Sequence, residues 1–343
     1  MTARLYLRAG GCGSDWIQGD VTMAKIAGKR ILVTGGAGFI GSNLCDALLA
    51  AGAEKVVCLD NFFLGKMENI AEAMKDERFV LYRDDARQFG VVQSILEKEK
   101  TEVVFNMATI ALNYSFFNPF DAYLDNVQIA NTLLELMKVG AFQTLIHTSS
   151  SEAYGTAQYS PMDENHPTNP TTPYAAGKAA ADLMVHSFYK VLGLDISIVR
   201  PFNNYGPRQN AEGGLAGIIP ATARRIRQGQ MPVVEGDGEQ SRDFIYVGDT
   251  VRALILAYER EESRGQIINL GSGTDISINR LLQTICDCMG YTGEWEHRPA
   301  RKSDVRKLCA DASKARKLLG FEPQVSFEEG IARTLEWYGE RYQ

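Results

Sequence analysis

The chain predicts a doubly wound α/β fold, a parallel sheet covered by helices on both faces, followed by a smaller mixed α/β C-terminal portion. Three observations carry this. From Lys29 onward, short near-continuous apolar runs alternate with amphipathic segments, the pattern of parallel strands buried on both faces. A glycine triplet separates the first apolar run from the first helical pattern. After Pro201 the character changes, and Gly and Pro punctuate shorter segments.

In chain order, the strand candidates are Arg30–Val33, Lys55–Leu59, Phe79–Tyr82, Glu102–Phe105, Thr144–His147 and Ile196–Val199. Helical periodicity marks Ser42–Ala51, Val127–Val139 and Tyr174–Leu192 between them. Beyond Pro201, Pro232–Val234 and Gln266–Asn269 alternate with helices at Ile218–Gln228 and Thr250–Tyr258. The expected division is an N-terminal extension over 1–28, a dinucleotide-binding domain over 29–200, and a portion over 201–343 that packs across the carboxyl ends of the sheet. The extension has no apolar core of the length a signal peptide needs and carries Asp15 and Asp20, against a transit peptide; Met23 could begin a compact protein.

Composition narrows the function. With 36 basic and 42 acidic residues the net charge is −6, so a basic field for coating nucleic acid is absent. No apolar run approaches the roughly 18 residues of a membrane span. Six scattered cysteines in a chain of 343 residues indicate reduced thiols and a cytoplasmic setting. Four dispersed histidines and one Cys286-Asp287-Cys288 pair form no metal-ligand cluster, so no metal is expected.

The glycines at 35, 38 and 41 follow the first strand and open the first helix. Gly35 permits the tight turn, Gly38 lets backbone approach a pyrophosphate, and Gly41 lets the helix pack closely on the strand. Strand before and helix after separate this turn from a generic Gly-rich loop. The second strand ends in Leu59-Asp60-Asn61. An acid there accepts bonds from the adenosine ribose and repels a 2′-phosphate, favouring NAD over NADP, unless Asp60 is only a turn residue. Asp85-Ala86 after the third strand sits where an adenine edge is contacted.

Thr171-Thr172-Pro173 reads as a helix start, which places Tyr174 and Lys178 on one face, four residues apart. A tyrosine of pKa ~10 is a poor base until a nearby ammonium favours its phenolate. Lys178 can also reach the nicotinamide ribose. Ahead of them, Thr148-Ser149-Ser150-Ser151-Glu152 follows a strand, where hydroxyls can relay a proton from a substrate alcohol; the alternative is a Ser-rich turn bonded to its own backbone.

Gly35–Gly41 (with Phe39 and Ile40), Tyr174/Lys178, Arg200–Arg208 and Arg242–Val247, in that order, resemble the extended short-chain dehydrogenase/reductase family of nucleotide-sugar epimerases, dehydratases and decarboxylases. The likeness runs from about Lys29 to Tyr338. It implies a Rossmann domain binding NAD. Ser150 would be the catalytic hydroxyl, Tyr174 the base and Lys178 its partner. Asn203, Arg242 and Arg301 would bind the substrate's diphosphate, with Ser151 also against the substrate. Asn106–Thr109 would lie on the nicotinamide side, Ala108 among the coenzyme contacts and Thr109 departing from the family's alanine.

The resemblance implies transient oxidation of a hexose at carbon 4, after which epimerases, 4,6-dehydratases and uronate decarboxylases part ways. Glu152, two residues after the catalytic hydroxyl, is the acid that dehydratases and decarboxylases carry and simple epimerases lack. The six residues after it and Asn113-Tyr114-Ser115 are also closest to dehydratases; glucose-type dehydratases have Asp where Ser151 stands, whereas mannose-type ones tolerate Ser there. A 4,6-dehydratase is therefore the leading expectation, with 4-epimerase and decarboxylase as alternatives and an NAD-sensing non-enzymatic scaffold as the reading from a different class. Loops 215–219 and 233–236 are expected to read the nucleobase. The helices Val127–Val139 and Tyr174–Leu192 resemble the family's dimer-forming pair, so a homodimer is expected.

Overall fold

The computed structural model describes residues 25–300 and 305–341; most of the N-terminal extension and Arg301 fall outside them. The strands are β1 (Arg30–Thr34), β2 (Lys55–Asp60), β3 (Phe79–Arg83), β4 (Val103–Asn106), β5 (Thr144–Thr148), β6 (Asp195–Pro201), β7 (Asn203–Tyr205), β8 (Val233–Glu235), β9 (Ser241–Tyr246), β10 (Ile267–Leu270), β11 (Asp275–Ser277), β12 (Glu296–Arg298) and β13 (Lys307–Leu308). The helices are α1 (Phe39–Ala50), α2 (Phe89–Glu99), α3 (Pro119–Lys138), α4 (Pro173–Leu192), α5 (Ile218–Arg227), α6 (Val247–Glu259), α7 (Ile278–Met289), α8 (Ser313–Leu319) and α9 (Phe327–Arg341).

Seven strands form the central sheet in the order β10-β6-β5-β4-β1-β2-β3, every pair parallel. Alternation along each strand divides the core between the two faces. Ile31, Val33, Val56 and Cys58 pack with Leu44 and Leu48 of α1 and Leu254 of α6. Leu32, Val57 and Val104 pack with Ile95 of α2, Leu133 of α3 and Val185 of α4. Each such side chain contributes roughly 1.5–3 kcal/mol by leaving water. The chain order doubles back between β1 and β4, and that crevice at the carboxyl ends of the strands is where such folds bind ligands.

Ile26, within the expected extension, is fully buried in the core. The segment expected as a strand over Gln266–Asn269 forms β10, which joins the main sheet as its seventh strand, paired with β6 from Ile198↔Ile267 to Pro201↔Leu270. The remaining C-terminal elements, β7, β9, β11 and β13 with α5, α7 and α9, close a core of their own around Tyr205, Ile219, Leu281 and Leu335. Because β7 continues directly from β6, this unit sits over the crevice.

Helix α4 is fixed as its sequence implies. Thr172 caps it by accepting the Ala175 N–H at 3.2 Å, Pro173 occupies the first turn, and Gly193 ends it at φ 65°. Along α3, α4 and the turn before α3, Phe117, Phe120, Leu183 and Val191 are each at least 70% exposed. Among the described residues no helix is long and apolar enough to cross a membrane.

Candidate active site

The turn after β1 is shaped by close backbone approach. Gly35 adopts φ +67°, and a Cβ there would come within 2.8 Å of the Ala108 backbone; a Cβ at Gly41 would strike the Gly35 carbonyl. Gly38 precedes α1 with no side-chain cap, and the first turn of α1 holds no acid, so the first amides of the helix face the crevice. The turn offers oriented N–H donors and space only glycine leaves, an arrangement able to hold an anionic group. The Thr34 hydroxyl accepts the Ala108 N–H at 3.2 Å and donates to Asn106 at 2.7 Å, locking the end of β1 to the end of β4.

Asp60 reaches back into this turn. Its carboxylate accepts the Ala37 N–H at 2.9 Å and the Phe62 N–H at 2.8 Å, and burial holds its pKa above the ordinary carboxylate value. It also lines the cavity, as do Asn61, Asp85 and Ala86. Asn61 accepts the Phe63 N–H at 3.0 Å. The Asp85 carboxylate is held by Arg87, which also pairs with Asp125 at 2.7 Å.

Across the crevice, β5 ends in Thr148, and Ser150 begins a short 3-10 turn over Ser151–Tyr154 by accepting the Glu152 N–H at 3.2 Å. Ser150, Ser151, Glu152, Tyr174 and Lys178 all line one cavity of about 750 Å³, together with Gly35–Gly41 residues and Ala108. Burial pushes the Tyr174 phenol up to about 12; the Ser150 hydroxyl pulls against this and the Glu152 charge adds to it. Lys178, 4% exposed, donates to the Thr148 carbonyl at 2.9 Å, and burial brings its ammonium down to about 8 against the pull of Asp182.

The C-terminal unit supplies the far wall. Asn203 and Arg242 line the cavity, as do Leu215–Ile219, Val233 and Glu235. The Asn203 amide nitrogen is buried with no hydrogen-bond partner. Arg301 lies outside the described residues.

Sequence reasoning missed several groups. Arg208 lines the cavity, bonds Asp46 of α1 at 2.6 Å and keeps its other guanidinium nitrogen buried without a partner. Thr109, which the sequence reading places on the nicotinamide side, hydrogen-bonds Asn126 at 2.7 Å and lies within reach of the Tyr174 hydroxyl. Behind Lys178, the wholly buried Asp182 accepts Ser149 at 2.5 Å and Arg200 at 2.7 and 2.9 Å. Arg200 and Arg208 lie in the quoted Arg200–Arg208 motif, which could have flagged them; Asp182 and His147 carry no local signal. Among the described residues no group of His, Cys, Asp and Glu could hold a metal ion.

Residues 32–334 match the family described as GDP-mannose 4,6 dehydratase. The chain is 37% identical to UDP-glucose 4-epimerase of Mycolicibacterium smegmatis over 317 residues, 92% of this chain and 100% of that one. Among solved structures, UDP-glucose 4-epimerase of Thermotoga maritima with UDP-glucose superposes with a TM-score of 0.86 at 33% identity, covering 92% of this chain and 100% of the other. The dTDP-glucose 4,6-dehydratase DesIV of Streptomyces venezuelae, solved with NAD bound, gives 0.85 at 31%, covering 91% and 97%. The chain belongs to the family these matches show: the extended short-chain dehydrogenase/reductases, NAD-dependent epimerases and dehydratases of nucleotide sugars.

Proposed function

We propose that this chain is an NAD-dependent nucleotide-hexose 4,6-dehydratase. The observation that carries the reading is Glu152, whose carboxylate lines the cavity beside Ser150 and acts electrostatically on the Tyr174 phenol. A second acid–base group next to the first is what elimination needs and simple epimerisation does not.

NAD would be held by Gly35, Gly38, Phe39, Ile40 and Gly41, with Asp60 and Asn61 toward the adenosine ribose, Asp85 and Ala86 toward adenine, and Ala108, Tyr174 and Lys178 near nicotinamide. Bound there, it supplies the two-electron store that oxidises carbon 4 and afterwards reduces carbon 6. The chain's own residues handle protons. Ser150 Oγ already accepts the Glu152 N–H, so its hydrogen is free to pass toward the Tyr174 oxygen while it takes the carbon 4 hydroxyl proton. The Lys178 ammonium, with its pKa near 8, stays mostly charged at neutral pH and favours the phenolate.

Once carbon 4 is a ketone, the carbon 5 proton becomes acidic and Glu152 takes it. The carbon 6 hydroxyl then departs as water. Two protons leave the sugar, from oxygen 4 and carbon 5; one departs in the water and one returns to carbon 5. Asn203, Arg242 and Arg301 would hold the diphosphate, Ser151 would contact the sugar, and the walls at 215–219 and 233–236 would surround the nucleobase.

A second reading, 4-epimerisation, is favoured by Ser151: a hydroxyl is a far weaker proton donor to the departing carbon 6 oxygen than an acid would be. The names of the relatives at 37% and 33% identity, both UDP-glucose 4-epimerases, also support it. Incubation of the NAD-loaded chain with UDP-glucose, dTDP-glucose, GDP-mannose and UDP-glucuronate, followed by mass spectrometry and NMR of the sugar, separates the readings. Loss of one water supports the dehydratase. A product of unchanged mass with carbon 4 inverted makes it an epimerase, and carbon dioxide released from UDP-glucuronate makes it a decarboxylase. The exposed apolar residues of α3 and α4 support a homodimer built on that face.

A further inference from the structure

We infer that Arg208, in the loop after β7, is a ligand of the coenzyme's diphosphate: its guanidinium, anchored on α1 through Asp46, completes the anion site that the glycine cradle of Gly35–Gly41 opens. The inference rests on the placement of NAD at that turn proposed above and uses nothing of the sugar chemistry.

The backbone is pinned on both sides of Arg208. The Pro207 carbonyl accepts the Asn43 side-chain amide at 3.3 Å, and the Gln209 carbonyl accepts the Tyr338 hydroxyl of α9. Between them Arg208 takes φ +72°, a left-handed conformation that costs a residue with a Cβ roughly 1–2 kcal/mol. The Asn43 amide also donates to the carbonyl of Phe39, the first residue of α1, at 2.9 Å. Phe39, Asn43 and Asp46 share one face of α1, and Arg208 Nη2 closes the junction with that face by bonding Asp46 at 2.6 Å. Farther along the loop, Glu212 accepts the Lys66 ammonium at 2.6 Å, and the Lys66 N–H donates to the Ala37 carbonyl of the glycine turn at 3.1 Å. The stretch from Pro207 to Glu212 is thus tied to the elements around the glycine turn.

The ion pair turns its cation inward and its anion outward: the Arg208 side chain is 13% exposed and that of Asp46 34%. Arg208 lines the cavity with Gly35, Gly38, Phe39, Ile40 and Gly41. Its Nη1 is buried without a hydrogen-bond partner, and among the described residues no other lysine or arginine has a nitrogen in that state. A buried donor left unpaired costs about 1–3 kcal/mol, more on a charged group, until a partner arrives. A guanidinium can hold a carboxylate with one nitrogen and a phosphate oxygen with another. The glycine turn itself brings backbone N–H groups and a helix end worth about half a positive charge, against a ligand that is a dianion. Lys66, Arg87 and Lys178 line the same cavity, but they bond Glu212, Asp125 and the Thr148 carbonyl. Because the ties of Pro207 and Arg208 both run to α1, the coenzyme's diphosphate, and not the substrate's, is the anion in reach.

Calorimetric titration of the full chain, freed of coenzyme, with NAD, adenosine and UDP tests this without a sugar substrate, so the dehydratase reading can fail independently. Whether NAD lies at the glycine turn at all is decided separately, by NAD binding to Asp60→Ala. Arg208→Gly removes the guanidinium, and glycine accepts the left-handed backbone. Its NAD affinity should fall by about tenfold or more, the worth of a hydrogen bond to a charged group. Adenosine lacks the diphosphate and UDP is held by other residues, so both should keep their affinity. A smaller loss for NAD overturns the inference. So does an equal loss for NAD and adenosine, which would make Arg208 a fastener of the loop, or a loss confined to UDP, which would give it to the substrate. If Arg208→Gly does not fold, Arg208→Lys, which keeps a charge but cannot bridge carboxylate and phosphate together, is titrated instead. There an NAD affinity within about threefold of the wild type overturns the inference.

Discussion

The Lys178 ammonium donates to the Thr148 carbonyl at 2.9 Å, so the helix that carries Tyr174 is tied to the last residue of the strand that delivers Ser150. In the proposed mechanism this bond holds the two parts of the proton-handling site together. Lys178→Met should lower turnover by two orders of magnitude or more while far-UV circular dichroism is unchanged; retention of a tenth of the activity would remove Lys178 from the reaction.

The same lysine gives a pH signature in stability. Its folded pKa, about 8, lies below the unfolded value of about 10.4, so between these pH values the unfolded chain binds more protons. The wild type should therefore gain stability relative to Lys178→Met as pH rises from 8 to 10.4. Urea midpoints of the two proteins at both ends of that window measure it, and a gap that does not move would show that the ammonium is not desolvated.

In the proposed function, Asp60 serves both the coenzyme and the turn that its carboxylate holds. Asp60→Ala leaves the Ala37 and Phe62 amides without their acceptor, at a cost of about 1–3 kcal/mol. Thermal unfolding should register the loss in the free chain, and calorimetry should show NAD affinity reduced by tenfold or more. Intact NAD affinity would assign Asp60 to the turn alone.

The apolar face of α3 and α4 predicts its own test. Phe120→Glu together with Leu183→Glu places charges at two positions each at least 70% exposed, so a monomer should tolerate both. Sedimentation should show the wild type as a dimer and the double variant as a folded monomer. A wild type that sediments as a monomer would contradict the expectation.

How much of this was legible in the sequence follows from the range of each interaction. The glycine turn, the Thr172–Pro173 helix start and the Tyr174/Lys178 face are local, and every one stands where the spacing places it. The strand expected over Gln266–Asn269 is legible, but its place in the main sheet is not, because its partner strand ends 66 residues before β10, at Pro201, and pairing across such a distance leaves no periodic mark. Helix α1 begins at Phe39 rather than Ser42, since its first turn consists of the residues that form the cradle. Asp182 and His147 were missed for the same reason as β10. Each looks like an ordinary residue of a helix or a strand until β1, β4, β5 and α4 are brought side by side.

The Tyr174→Phe variant removes the phenol oxygen to which the mechanism assigns the carbon 4 proton. Its turnover should fall by about 10²–10⁴-fold with the fold retained. Wild-type turnover in this variant would sink that role.

The most direct measurement concerns Glu152. Run in D₂O, the wild-type reaction should give a dehydrated product with deuterium at carbon 5, and Glu152→Gln should form neither while still oxidising carbon 4, seen as absorbance of reduced coenzyme. A wild-type product without deuterium at carbon 5, or a Glu152→Gln variant that incorporates it at the full rate, would contradict the proposal that one carboxylate beside the Ser150–Tyr174 pair turns a transient ketone into a dehydration.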